Sequence, residues 1–160
     1  MPTLILMCGP PGSGKSHCRK RDLEDAHVIS PDDIIVEWGD GVYLWTPGKA
    51  AAAWREADTR LEWEMLLAAD GEGTHETIVF DAVFDRPKRR KKYVKLARQY
   101  GWDVETYYVK TPLDVCLERN AARPETRRVP EETLERMASR MQAPTRAEGF
   151  DRVVTVSGTR

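Results

Sequence analysis

Cysteine is scarce in this chain, with three among 160 residues, at positions 8, 18 and 116. An odd count without C-x-x-C spacing argues against a disulfide framework and against a cysteine zinc site, and it fits a reducing, cytoplasmic setting. Cys8 lies in an apolar run and is expected to be a buried, inert thiol. Histidine is equally rare. His17, His27 and His75 are scattered and form no pair at helical spacing, so no structural metal site is expected. Long apolar runs are missing too: the longest, Leu4 to Cys8, falls far short of the ~20 residues that cross a bilayer, and no charged segment precedes it. Neither a membrane span nor a secretory signal is expected. Charge of one sign is also lacking, since 25 Lys+Arg stand against 26 Asp+Glu. That balance excludes wholesale attraction to nucleic acid but permits a local basic face. No repeat, low-complexity segment or long linker divides the chain, and nothing points to an obligate protein partner.

What is present is the composition of a folded domain, 41% hydrophobic and 32% charged. A chain of this size buries roughly 70% of its unfolded surface, so a single domain spanning 1–160 is expected. Short apolar runs alternate with longer amphipathic stretches. Thr3–Cys8, His27–Ser30, Thr77–Asp81, Asp103–Val109 and Arg152–Val156 read as strands. Helices are expected from about Lys15 to Leu23, from Pro31 to the Gly39-Asp40-Gly41 break, and from Pro47 to about Ala69. Three more run from Pro87 to Tyr100, from Thr111-Pro112 to about Asn120, and onward from Val129-Pro130. In the longest of these, Trp54, Ala57, Leu61, Met65 and Ala68 follow the 3.6-residue period. Ser30-Pro31-Asp32-Asp33 is a helix start, with Ser as cap, Pro at the first helical position and acids in the first turn. Strands separated by helices predict an α/β fold of three layers: a mostly parallel central sheet with helices on both faces.

Gly9-Pro10-Pro11-Gly12-Ser13-Gly14-Lys15-Ser16 matches G-x-x-x-x-G-K-[ST] at every fixed position, after a buried strand and before a helix. Glycines let such a loop aim its N–H groups inward with no Cβ in the way of phosphate oxygens. The following helix presents its positive end to the same anion. ATP is therefore the expected nucleotide, with Lys15 on the β- and γ-phosphates and Ser16 on Mg²⁺.

Further residues separate a kinase from other nucleotide users. Asp32 and Asp33 follow the second strand, at the carboxyl edge of the sheet, where one of them could take a proton from an attacking hydroxyl. Asp81 ends a strand, as an acid supporting Mg²⁺ does. The segment from Arg119 to Arg128 carries four arginines, Arg119, Arg123, Arg127 and Arg128, between two helices, and reads as a lid over ATP. Arg86-Pro87-Lys88-Arg89-Arg90-Lys91-Lys92 opens a helix with six cations, which the helix dipole opposes and contact with a phosphate backbone would explain; a plain solvated face is the alternative. Trp38, Tyr43 and Trp45 flank a glycine turn, where they could stack on an acceptor base or pack on the long helix.

Taken together, these residues resemble the kinase domain of the phage and bacterial polynucleotide 5′-hydroxyl kinases, a branch of the P-loop kinases. The resemblance runs over nearly the whole chain. It includes the phosphate loop, Asp32-Asp33, Phe80-Asp81 followed by Arg89-Arg90, Tyr100-Gly101-Trp102, Arg119-Asn120, Arg123, Val129-Pro130 and Met137. It implies Asp32 as general base, Arg123 as lid arginine and Asp81 as a second active-site acid. Arg119 and Arg127 are expected beside the nucleotide, and Arg86, Lys88, Arg89 and Asp33 beside a nucleic-acid acceptor. One departure is informative. The family usually carries an Arg three residues after the base, gripping the acceptor's phosphate, and here that position is Ile35. A 5-hydroxymethyl-pyrimidine base in DNA and a small-molecule alcohol therefore stand as alternative acceptors, and a non-catalytic nucleotide switch as an alternative of another class.

Overall fold

The computed structural model describes residues 1–159. Its strands are β1 (Thr3–Cys8), β2 (His27–Ile29), β3 (Thr77–Asp81), β4 (Asp103–Lys110) and β5 (Arg152–Ser157). They form one sheet in the order β2-β3-β1-β4-β5 with every pairing parallel. The six α-helices are α1 (Lys15–Asp22), α2 (Pro31–Trp38), α3 (Pro47–Ala69), α4 (Pro87–Gln99), α5 (Leu113–Ala121) and α6 (Glu131–Arg140). The expected elements are all present, the sheet is parallel throughout, and helices cover both of its faces. Among the described residues no helix is long and apolar enough to cross a membrane.

The central strand is apolar at every position after Thr3 because it faces two cores. Leu4, Leu6 and Cys8 join the larger one, with Ile78, Phe80 and Val104 from the neighbouring strands and Ala53, Ala57, Leu61 and Met65 from α3. Ile5 and Met7 join the smaller one, with Val79, Val109 and Cys18 of α1. Cys8, Cys18 and Cys116 are all buried and unpaired, and burial pushes the Cys8 thiol up to about 11. Helix starts follow the sequence signals. The Ser30 hydroxyl accepts from the amide of Asp33 at 3.3 Å, and that of Thr46 from Lys49 at 3.1 Å, each before a proline.

Two single 3-10 turns, Glu125–Arg127 and Arg146–Glu148, were not legible in the sequence. The second explains part of the cation run at the start of α4. Arg90 is fully buried: its guanidinium donates to both carboxylate oxygens of Glu148 at 2.8 and 3.1 Å, to the Phe84 carbonyl at 2.8 Å and to the Gln142 carbonyl at 3.0 Å. Phe84 needs this support. It is a buried non-glycine residue with φ of 47°, a conformation costing about 1–3 kcal/mol, held by edge contacts with Trp54, Phe80 and Tyr93. Arg90 thus fixes the turn that leaves β3, immediately behind the carboxyl edge of the sheet.

Truncating Arg90 leaves Glu148 and two carbonyls without their donor. Arg90→Ala should lower unfolding stability by about 3–5 kcal/mol in urea titrations, whereas Lys88→Ala on the same helix should stay within about 0.5 kcal/mol.

Candidate active site

The order of strands places β1 between β3 and β4, and the chain leaves β1 at its carboxyl end, where open α/β sheets bind ligands. The loop Gly9–Gly14 turns there, and its carbonyls are anchored one by one. Lys15 Nζ donates to Gly9 O at 2.6 Å and Pro10 O at 3.2 Å. Arg119 donates to Gly12 O at 3.2 Å and to Gly158 O, and the Thr111 hydroxyl donates to Ser13 O at 2.6 Å. Gly12 (φ 79°) runs so close under α5 that a Cβ there would stand 2.7 Å from the Cys116 carbonyl. Only glycine allows this approach.

With the carbonyls of Gly9, Pro10, Gly12 and Ser13 each given a donor, the amides are left for a ligand. Among the described residues those of Gly12, Gly14, Lys15 and Ser16 find no backbone acceptor, and α1 has neither a side-chain cap nor an acid in its first turn. The buried Ser13 hydroxyl also lacks a hydrogen-bond partner. Such a cradle fits the phosphates of ATP. The exposed Ser16 hydroxyl and Asp81 border the same cleft, oxygen donors of the kind Mg²⁺ takes.

The cleft encloses about 200 Å³ and brings together residues from four separate regions: Ser13 to Ser16 of the loop and α1, Asp32 and Asp33 of α2, Asp81 of β3, and Arg123 and Arg127 of the segment after α5. Its cations, Lys15, Arg19, Arg123 and Arg127, outnumber its acids, Asp32, Asp33 and Asp81, by one. Burial lowers the proton affinity of Lys15, against the pull of Asp81 and Asp32, and Arg123 lowers it further. Burial also lowers that of Arg123, and the neighbouring Arg127 adds to the effect. Asp81 is raised by burial, opposed by Lys15 and Arg19 and reinforced by Asp33 and Asp32; Arg19 pairs with it at 3.4 Å. Two half-buried cations lining one cleft favour an anionic ligand there, the electrostatic pattern of a functional site.

Two side chains organise the mouth in ways the sequence did not reveal. Tyr43 donates its hydroxyl to Asp32 Oδ1 at 2.8 Å, and the Arg127 guanidinium lies over its ring at 5.0 Å. It therefore joins the acid of α2 to the arginine segment, besides packing against the core cluster that α3 contributes to. Trp38 and Trp45 stay half exposed, at 46% and 53%. Asn120 closes the arginine segment on itself: its amide donates to Val129 O at 2.7 Å and accepts from Val129 N at 3.0 Å. The Arg119-Asn120 and Val129-Pro130 pairs are thus two halves of one clasp.

Other residues singled out by the sequence lie elsewhere. Arg119 braces the loop from behind, with both terminal nitrogens on carbonyls, and does not line the cleft. Arg86, Lys88 and Arg89 are also outside it. Arg86 and Arg89 sit 3.8 and 3.3 Å from the buried carboxylate of Asp85, Arg90 is in the core, and Lys92 pairs with Asp58. Lys88, Lys91 and Lys95 line a separate groove of about 510 Å³ between α3 and α4. Ile35 is buried in the core. The expectation that the histidines stay scattered needs correction. Parallel pairing of β2 on β3 stacks His27 on His75 with ring centroids 4.1 Å apart, and Glu64 joins them. Helical spacing cannot reveal a meeting across strands.

The family model of the AAA domain matches residues 4–144, and the chain belongs to that family. Its fold is the α/β fold of P-loop kinases. A proposed kinase of Chloroflexus aurantiacus J-10-fl superposes with a TM-score of 0.68 at 18% identity, over 99% of this chain and 89% of that one. A chain of the Pnkp1/Rnl/Hen1 RNA repair complex gives 0.69 at 19%, over 94% of this chain but only 46% of its own length. A gluconokinase of Sinorhizobium meliloti 1021 gives 0.59 at 18%, over 99% and 84%. No curated protein matches the sequence.

The two adjacent acids of α2 should differ in effect, because Asp32 alone carries the Tyr43 bond. If Asp32 takes the acceptor's proton, Asp32→Asn lowers kcat by about 10²–10⁴ with little change in ATP affinity. Asp33→Asn should be mild, as steady-state kinetics and calorimetric ATP binding would read directly.

Proposed function

We propose that the protein is an Mg-ATP-dependent kinase that transfers the γ-phosphoryl group to a hydroxyl of nucleic acid, with the 5′-hydroxyl end of DNA or RNA as first choice. The observation that carries the kinase reading is the convergence of Lys15, Arg123, Asp32 and Asp81 on one cleft beside a loop whose amides are free. In this reading Gly9 to Ser16 hold the phosphates, Ser16 and Asp81 hold Mg²⁺, and the ion neutralises charge on the phosphates. Asp32 accepts the proton of the attacking hydroxyl. Arg123 leans on charge developing at the transferring group, with Arg127 behind it on Tyr43. Arg119 serves the nucleotide indirectly, by holding the loop.

Nucleic acid as acceptor rests on the resemblance to polynucleotide kinases and on the half-exposed Trp38 and Trp45 near Tyr43, where bases could stack. Lys88, Lys91 and Lys95 in their groove offer a track for a phosphate backbone. A second reading, a small-molecule alcohol, draws support from Ile35 and from the absence of Arg86 and Arg89 among the residues that line the cleft. The gluconokinase among the similar folds is a kinase of that kind.

Incubation with γ-labelled ATP and a panel of acceptors separates these readings: 5′-hydroxyl DNA, 5′-hydroxyl RNA, hydroxymethylated duplex and gluconate. Label should pass to a nucleic-acid acceptor, with a salt slope of about −0.7 per phosphate contact on single strands. Lys88→Glu with Lys91→Glu should flatten that slope and spare ATP binding. Label passing to gluconate alone, or salt-independent turnover, would transfer the assignment to a small alcohol. ATP hydrolysis without any labelled acceptor would favour the switch.

A further inference from the structure

We propose that His27, Glu64 and His75 form a binding site for a divalent transition-metal ion of the zinc class, at the opposite end of the sheet from the phosphate loop. The site stands independently of the kinase reading. His27 is the first residue of β2, His75 lies two residues before β3, and Glu64 projects from α3. In a parallel sheet the starts of adjacent strands share one edge, so both imidazoles lie at the amino end, whereas Asp32 and Asp81 mark the carboxyl end. One ligand atom from each of the three side chains falls within 4.8 Å of the others.

Three observations favour a metal over a chance meeting of polar side chains. First, none of the three groups is engaged elsewhere: among the described residues no side-chain hydrogen bond or ion pair involves either imidazole or the Glu64 carboxylate. All three are partly exposed, so their donor atoms are free to take an ion in place of water. Second, the chemistry of the set is coherent. Two imidazoles and one carboxylate are a recurrent zinc donor set that leaves a fourth position for water, which partial exposure of all three residues allows. Third, no neighbouring cation claims the carboxylate. Arg60 does not compete for Glu64, because its guanidinium is committed to Glu37 and Glu56.

The rings are nearly parallel, with planes 11° apart. Ligands about 2.1 Å from a tetrahedral ion lie about 3.4 Å from one another. Binding therefore asks the two rings to tilt together and the three ligand atoms to close by up to about 1.4 Å, movements within the reach of side-chain torsions. The ion would clip β2, a three-residue edge strand hydrogen-bonded to β3 alone, to α3 and to the segment entering β3. Its expected role is structural.

Tag-free, chelator-treated full-length protein titrated with Zn²⁺ in the absence of nucleotide tests the site. One equivalent should bind in calorimetry, and Co²⁺ should give the visible absorption of a four-coordinate ion. His75→Ala and Glu64→Gln should each weaken Zn²⁺ binding by about 100-fold or more. Zinc at a hundred times its Kd should raise the Tm of the wild type by about 5 °C or more, and that of His75→Ala hardly at all. Glu64→Gln, a near-isosteric change on α3, keeps the test valid should His75→Ala fold poorly. Absence of binding to the wild type would overturn the proposal. So would binding that survives undiminished in either variant, since the ion would then sit elsewhere, as on the acids of the cleft.

Discussion

The structure depends on one constraint: the six-residue turn after β1 must face its amides inward while its carbonyls are held from outside. A backbone bent this way is stable only if each outward carbonyl has a donor, because an unpaired buried carbonyl costs about as much as a lost hydrogen bond. The donors come from distant parts of the chain. Arg119 reaches from α5, Thr111 from the end of β4 and Lys15 from the helix that follows. The amide of Gly9 meanwhile donates to Val83 O at 3.1 Å, beyond β3. The parallel register that sets β3 and β4 on either side of β1 brings these groups to the same edge. The buried Arg90 extends the arrangement by fixing the turn at Phe84.

Held in this way, the loop and its neighbours leave an excess of cation in a confined space. Lys15, Arg123 and Arg127 face the cleft, and Asp81 is partly engaged by Arg19. The Lys15 ammonium rests on carbonyls of its own loop, a position it can exchange for phosphate oxygens. Tyr43 joins the acid on one wall to the arginine segment on the other. Asn120 clasps the two ends of that segment, so Arg123 and Arg127 hang from a closed loop of fixed size. Oriented charge gathered in one cleft is what phosphoryl transfer asks of a protein.

Local chemistry was legible in the sequence wherever it acts locally. The phosphate loop, the Ser30 and Thr46 caps, the strand boundaries and the period of α3 depend on neighbours within a turn or two, and the fold class follows from their alternation. What depended on distant partners was not legible. The run Arg86 to Lys92 reads as one basic face, but the fold divides it among a core ion pair, two pairings with Asp85, a pairing with Asp58 and the free lysines of a groove. Arg119 reads as a nucleotide ligand, and the fold sets its guanidinium on the carbonyls of Gly12 and Gly158. The bond of Tyr43 to Asp32 and the meeting of His27 with His75 carried no signal, because the partners lie on other elements and no spacing rule spans the intervening chain.

The central proposal is that Arg123 of the arginine segment and the phosphate loop, which line one cleft, act on the same phosphoryl group. Single-turnover transfer from γ-labelled ATP by Arg123→Lys, on the acceptor the wild type labels best, tests it most directly. Lysine keeps the charge but loses the planar fork, so the rate should fall by about 10³-fold or more while ATP still binds. A wild-type rate in that variant would contradict the claim.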